Sequence, residues 1–191
     1  MGMTQTLAVV NKMEADGVIG RYAIGGAIAA YNYIEAAVTD DLDILVSFDE
    51  AGKQGSTGLI TLAPIYAYLK TKGFGEPRRE GILIAGWPVQ FLPVANSLDE
   101  EALAQAAEVE VKLDEADRAT IRTRILRPEH LVATALRVGR PKDLIRITQF
   151  LEEKAVDVVA LCGVLDRHRL MELWRSFCAR TGIVDPCRVQ G

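Results

Sequence analysis

The stretch Tyr22–Val46, YAIGGAIAAYNYIEAAVTDDLDILV, decides the fold of this 191-residue chain. It places the pair Gly25-Gly26 before an apolar helix and the run Asp41-Leu42-Asp43 at the start of an apolar strand. Strand side chains alternate with period two, so Asp41 and Asp43 point to the same face. Two like charges this close repel, which means that a cation lies between them or that water surrounds them. The pattern favours a divalent metal that holds a triphosphate.

Composition gives the frame for this hypothesis. The hydrophobic fraction of 49% and the charged fraction of 25% are ordinary for a globular protein, and the length suits one large domain or two small ones. A net charge of −4 gives no general reason to expect a nucleic-acid or membrane partner. No apolar run approaches the roughly 18–20 residues of a membrane span, and no secretory signal is recognisable. We therefore expect a cytoplasmic protein without a membrane partner.

The three cysteines are widely spaced in the C-terminal part of the chain, at Cys162, Cys178 and Cys187. Their spacing matches neither a CxxC metal site nor an obvious disulfide framework. We therefore expect free or buried thiols in a reducing compartment.

The charges are unevenly distributed along the chain. The segment Asp99–Asp117 is acidic and the segment Arg118–Arg146 is basic. Solvated helical faces with salt links account for such runs in the simplest interpretation. The alternative is that some of the cations face the carboxylates and hold phosphate.

Periodicity, glycines and prolines predict a mixed sheet flanked by helices, followed by a helical bundle, in the α/β (α+β) class. The predicted strands are Arg21–Ile24, Asp41–Ser47, Gly81–Ala85, Val89–Val94 and Arg122–Leu126. The predicted helices are 4–16, Gly26–Ala37, Thr61–Lys72, one from a capping box at Ser97–Glu100 to Ala107, Pro128–Val138, Pro141–Glu153, Val156–Leu165 and Arg167–Arg180. We expect two domains, 1–110 and 111–191.

These residues carry a resemblance to a known superfamily. Gly25-Gly26, fourteen intervening residues and Asp41-Leu42-Asp43 resemble the signature of the DNA-polymerase-β-like nucleotidyltransferases, in which Thr39 is also typical. Pro128-Glu129-His130-Leu131 and the later run Gly139–Asp143 are similar to the helical part of a bacterial branch related to the abortive-infection (AbiEii-type) toxin nucleotidyltransferases.

The resemblance implies a nucleotidyltransferase fold and Mg²⁺-dependent transfer of a nucleoside monophosphate from an NTP. Asp41 and Asp43 would be the catalytic metal ligands, with Gly25, Gly26 and Thr39 near the phosphates. The cations Arg140 and Lys142 would steady the triphosphate. The acceptor would be a protein side chain, a small molecule or an RNA end, and a toxin–antitoxin type of partnership follows from the analogy alone.

The chain departs from the family pattern at the third carboxylate. Gln90 occupies that position on a later strand, and an amide neither acts as a base nor holds a second Mg²⁺ as a charge would. Glu80 is a poor substitute because we expect it on the opposite face, while Asp143 is another candidate base. Two functions stay open: a transferase, or a nucleotidyltransferase-fold protein that binds nucleotide or a partner without turnover. The loop Gly52–Gly58 is expected to cover the site.

Overall fold

The structure is a computed structural model that describes residues 2–35, 39, 41–48, 61–78, 81–111 and 120–190. The predictions for Glu80 and the loop Gly52–Gly58 lie outside these residues. The strands are β1 Tyr22–Ile24, β2 Leu42–Val46, β3 Pro77–Arg78, β4 Gly81–Ile84, β5 Trp87–Pro93, β6 Ala107–Val111 and β7 Ile121–Ile125. The helices are α1 Met3–Ala15, α2 Gly26–Ala30, α3 Ala63–Thr71, α4 Ser97–Ala104, α5 Pro128–Val138, α6 Pro141–Glu152, α7 Val158–Arg167 and α8 Met171–Thr181, and a 3-10 helix covers Pro186–Gln190.

The chain divides into two compact units. The sheet unit comprises Met1–Ile28 and Ala37–Leu126, and the helical unit comprises Ala29–Ala36 and Arg127–Gly191. The division by contacts falls after Leu126 because β7 belongs to the sheet, whereas the sequence suggests a domain boundary at residue 110. Within the described part of the chain, no helix has the length and apolar character needed to cross a membrane.

The sheet unit contains one seven-stranded mixed sheet in the order β3-β4-β5-β2-β1-β7-β6. The strand β2 pairs antiparallel with β1 and parallel with β5, while β1 pairs parallel with β7. Leu42, Ile44 and Val46 of β2 are fully buried. The predicted class, a mixed sheet with helices followed by a helical region, is confirmed.

Helix α1 covers part of this sheet through its apolar side. Leu7, Val10 and Met13 recur at helical spacing and are almost completely buried. The Thr6 hydroxyl donates a hydrogen bond of 2.8 Å to the Ile84 carbonyl at the end of β4, which satisfies a buried polar group. The position of α1 over the sheet is therefore defined by burial of its apolar side chains and by the hydrogen bond of Thr6.

The helical unit has its own apolar core. Phe150, Trp174 and Phe177 are almost completely buried, and the rings of the last two lie 5.6 Å apart between centroids. Large aromatic side chains bury the most apolar area per residue, so they supply much of the stabilisation of a small helical unit. This packing confirms the predicted helical region after the sheet.

Several local predictions differ from the structure. Helix α2 ends at Ala30 rather than Ala37, and turns follow it. Helix α4 begins after Asn96, whose side chain accepts hydrogen bonds from the Leu98 and Asp99 amides, so Ser97 is not the capping residue. Asn is as good an N-cap as Ser.

Strand β6 was not predicted, although its sequence AEVEV alternates with period two. It pairs antiparallel with β7, which places Glu108 opposite Arg124 and Glu110 opposite Arg122. Arg122 Nε lies 3.1 Å from Glu110 Oε1. Part of the acidic and basic runs is thus paired across two strands, as Glu110 and Arg122 are, whereas the simplest interpretation of the sequence was helical faces.

The prediction of free cysteines is wrong for two of the three. Cys162 and Cys187 form a disulfide with a Cα–Cα distance of 5.7 Å, and Cys178 is a buried free thiol. The pairing was not visible in the sequence because 25 residues separate the two cysteines.

Candidate active site

The two acidic residues of the opening stretch lie at the start of β2. Asp43 is the second residue of the strand and Asp41 directly precedes it, and both side chains are half-buried. Period-two alternation places both carboxylates on one face of the sheet, while Leu42 between them is buried on the other. The pair is therefore partly shielded from water yet accessible to an ion.

The Gly25-Gly26 turn contacts Asp43 directly. The Gly25 amide donates to the Asp43 carbonyl at 2.9 Å, which continues the pairing of β1 with β2. Gly26 has a left-handed backbone with φ +57°, and a Cβ placed there would lie 2.0 Å from Asp43 Oδ2. The Asp43 carboxylate thus occupies the space that a side chain at position 26 would need.

Thr39 contacts the other carboxylate. Its hydroxyl donates to Asp41 Oδ1 at 2.7 Å in a partly buried setting. An O–H···O⁻ bond of this length is charge-assisted and holds the acceptor in one orientation. Gly25, Gly26, Thr39, Asp41 and Asp43 are thus brought together in the sheet unit.

Gln90 lies beside Asp43 on the adjacent strand. The two residues are paired in the parallel register of β2 with β5, so their side chains are on the same face. The position next to Asp43 on this face is therefore filled by an amide, which adds no negative charge to the pair.

The donor set fits a magnesium ion that shares its coordination with a ligand. The described residues contain no group of three or more His, Cys, Asp or Glu side chains suited to a metal. Mg²⁺ is commonly held by one or two carboxylates together with substrate phosphates and water, rather than by an all-protein cage. Asp41 and Asp43 match that arrangement. The Asp43 carboxylate lies in the space left by the missing side chain of Gly26, so its position is defined.

Arg140 and Lys142 belong to the helical unit, at the start of α6. Lys142 is exposed, and Arg140 donates to Asp143 through Nε at 2.7 Å and Nη2 at 3.3 Å. Asp143 is only 2% exposed, and Arg146 Nη1 lies 3.9 Å from it. Asp143 is thus held by two guanidinium groups, and its role as a base stays a prediction. The phosphate roles of Arg140 and Lys142 stay predictions.

A second polar cluster, which the sequence did not indicate, surrounds Tyr22. A cleft of about 390 Å³ is lined by Asn11, Glu14, Ala15, Tyr22, Glu108, Arg122, Thr123 and Arg124. The Tyr22 hydroxyl bonds to Asn11 and lies 3.0 Å from Thr123 Oγ1, and burial raises the pKa of the Tyr22 phenol above 10.0.

Arg124 completes this cluster. It donates to both Glu14 carboxylate oxygens at 2.9 and 3.0 Å and to the Tyr22 carbonyl at 2.9 Å. These groups satisfy one another, so the cluster ties α1 to β1 and β7. Arg124 lies 102 residues from Tyr22 and 110 from Glu14 in the sequence, which explains why no local pattern indicated the cluster.

Comparison with known proteins adds little. No protein-family model matches the sequence. No curated protein matches it either. Among solved structures, the chain is similar to the solution structure of the antibiotic-resistance factor ANT(2'')-Ia, with 16% identity, a TM-score of 0.44 and 95% of each chain covered. A likeness at this level carries no argument for fold or function, so the case for the site depends on this chain's own residues.

Proposed function

We propose that this protein binds an NTP with Mg²⁺ at Asp41 and Asp43 and transfers the nucleoside monophosphate to an acceptor. The observation that carries the proposal is the pair of half-buried carboxylates on one face of β2, each in contact with a second residue of the opening stretch. Two adjacent carboxylates repel without a cation, and such a pair is suited to a metal–triphosphate complex.

In the proposed reaction an acceptor oxygen attacks the α-phosphorus of the NTP. The bond from that phosphorus to the β-phosphate oxygen breaks, pyrophosphate leaves, and the acceptor proton passes to a base. A bound Mg²⁺ supplies charge neutralisation at the phosphates. Asp41 and Asp43 orient the metal–triphosphate complex, and by resemblance the main chain at Gly25 lies near its phosphates. The acceptor class is a protein side chain, a small molecule or an RNA end.

A second function is favoured by Gln90, which stands beside Asp43 where the resemblance places a third carboxylate. An amide accepts no proton at neutral pH and adds no charge for a second ion. The alternative is therefore a protein that binds nucleotide, or a partner, without turnover.

Pyrophosphate release separates the two functions. Purified protein is incubated with Mg²⁺, each NTP and a cell extract as the source of acceptors, and Asp43→Asn is the inactive reference. Transfer predicts pyrophosphate release and label from an α-phosphate-labelled NTP on a product, both absent from the variant. Nucleotide binding without either signal supports the second function. If no NTP binds to the wild type, nucleotidyl transfer and nucleotide binding are both wrong, and binding of a partner is what is left of the second function.

A further inference from the structure

Thr39 contacts a carboxylate rather than standing open toward a ligand. A threonine hydroxyl has a single proton to donate, and the Thr39 proton is directed at Asp41 Oδ1 over 2.7 Å. The same proton is not available to a phosphate oxygen. The bond removes torsional freedom from the Asp41 carboxylate and leaves its second oxygen for an ion.

Gly26 has the corresponding relationship to Asp43. A Cβ at position 26 would lie 2.0 Å from Oδ2, 2.9 Å from Cγ and 3.1 Å from Cβ of Asp43. Because the clash extends from the carboxylate to the base of the side chain, rotating the carboxylate about its last bond would not relieve it. A methyl group at position 26 therefore displaces the whole Asp43 side chain.

We propose that Thr39 and Gly26 are positioning residues that fix the Asp41 and Asp43 carboxylates for a divalent cation before any nucleotide binds. This inference rests on the proposed function. The resemblance places Thr39 and Gly26 near the phosphates, whereas here both residues orient the metal ligands. Groups that orient metal ligands typically change metal affinity by about 10–100-fold when they are removed.

The test for Thr39 uses Mn²⁺ alone, followed by electron paramagnetic resonance in the absence of nucleotide. Thr39→Val keeps the branched shape and removes the hydroxyl, and we expect Mn²⁺ affinity to fall about tenfold. Thr39→Ser restores the hydroxyl and should restore the affinity. Thr71→Val is the matched control because the Thr71 hydroxyl donates to the Tyr68 carbonyl within α3 and has no part in the proposed site.

The test for Gly26 compares two glycines that both have a left-handed backbone, Gly26 with φ +57° and Gly17 with φ +70°. In Gly26→Ala we expect Mn²⁺ affinity to fall by at least about tenfold, since Asp43 must move. In Gly17→Ala the new Cβ meets nothing within 4 Å, so this variant has the same kind of backbone strain without displacing Asp43, and its affinity for Mn²⁺ should be retained. Thermal melts establish that each variant folds, and if Gly26→Ala does not fold, the Thr39 series decides the matter.

Three results would overturn the inference. One is wild-type Mn²⁺ affinity in Thr39→Val together with weaker NTP binding at saturating Mn²⁺, which identifies Thr39 as a phosphate ligand. Another is equal Mn²⁺ affinity in Gly26→Ala and Gly17→Ala when both fold. The third is wild-type protein that takes up Mn²⁺ only with an NTP, which removes the positioning step but keeps the proposed function. If the wild type binds Mn²⁺ neither alone nor with an NTP, the proposed function itself fails.

Discussion

Asp43 of β2 and Gln90 of β5 are paired neighbours on parallel strands, and their side chains lie on the same face of the sheet. The family resemblance suggested that Gln90 replaces a carboxylate, and the strand register places Gln90 where a carboxylate would extend the acidic pair. Because the Gln90 amide is uncharged, it adds no electrostatic repulsion to Asp41 and Asp43 when no metal ion is bound.

Gln90→Asp should make stability depend on divalent cations. Without a cation the added charge repels Asp43, and we expect a loss of about 1 kcal/mol of unfolding free energy. Saturating Mg²⁺ should recover this loss and raise the melting temperature more than in the wild type. Gln90→Asn is the uncharged control, and an equal response of both variants to Mg²⁺ would contradict the placement of the ion at this face.

Asp143 should prove structural rather than catalytic. In Asp143→Asn the guanidinium groups of Arg140 and Arg146 lose their buried counter-charge. We expect a loss of about 2 kcal/mol in urea denaturation, below the usual cost of a broken buried pair because Arg140 is 55% exposed. Asp166→Asn, at an exposed position of α7, should change stability little. Loss of Mn²⁺ affinity in Asp143→Asn, with stability unchanged, would contradict this prediction and support a functional role for Asp143.

The disulfide between Cys162 and Cys187 should stabilise the helical unit and hold the C-terminal segment. Asp185 Oδ1 in that segment also accepts hydrogen bonds from Trp174 Nε1 at 2.8 Å and from the Cys187 amide at 3.0 Å. For a sequence separation of 25, the loop-closure model gives about 3.5 kcal/mol, so reduction or Cys187→Ser should lower the melting temperature. The double serine variant controls for the reductant. Equal melting temperatures for oxidised and reduced wild type would exclude a stabilising disulfide.

Tyr22 should give the protein a specific alkaline transition. Burial raises the pKa of the Tyr22 phenol, so the folded state keeps its proton to higher pH than the unfolded chain does. The associated stability is fully present below about pH 10 and is lost as pH rises through the folded pKa. Tyr22→Phe also loses hydrogen bonds to Asn11 and Thr123, and we expect it to be about 1–2 kcal/mol less stable at pH 7.

Urea denaturation between about pH 8 and pH 11 measures both effects. Above about pH 10 the stability of Tyr22→Phe should fall less steeply than that of the wild type, because the variant has no buried phenol to ionise. Tyr66→Phe, at an exposed position of α3, should follow the wild type. An unchanged alkaline slope in Tyr22→Phe would show that this phenol does not control the transition.

The parts of the fold that the sequence predicted have strong local signals. The spacing of Leu7, Val10 and Met13 predicted α1, and the apolar runs on either side of Gly86-Trp87 predicted the two strands that pair as β4 and β5. The predicted secondary structure was wrong where the sequence carried signals for both a helix and another structure. The glutamates of β6 suggested a helical face, although the alternation AEVEV indicated a strand, and the alanines after Gly26 suggested a longer α2 than the structure has.

The sequence predicts which residues form the site but not how they contact one another. Period-two alternation predicts that Asp41 and Asp43 lie on one face. The contacts of Thr39 with Asp41 and of Gly26 with Asp43 depend on how the chain returns from α2 to β2, which spacing does not define. The disulfide and the Tyr22 cluster join residues far apart in sequence, so they become visible only in the folded chain.

The central claim is that Asp41 and Asp43 hold a metal–nucleotide complex, and calorimetric titration of each NTP in the presence and absence of Mg²⁺ tests it most directly. The wild type should bind at least one NTP in a Mg²⁺-dependent manner, and Asp43→Asn should lose that dependence. Glu108→Gln, which removes an exposed carboxylate of β6, should bind as the wild type does. Mg²⁺-dependent binding that is equal in Asp43→Asn and the wild type would contradict the claim.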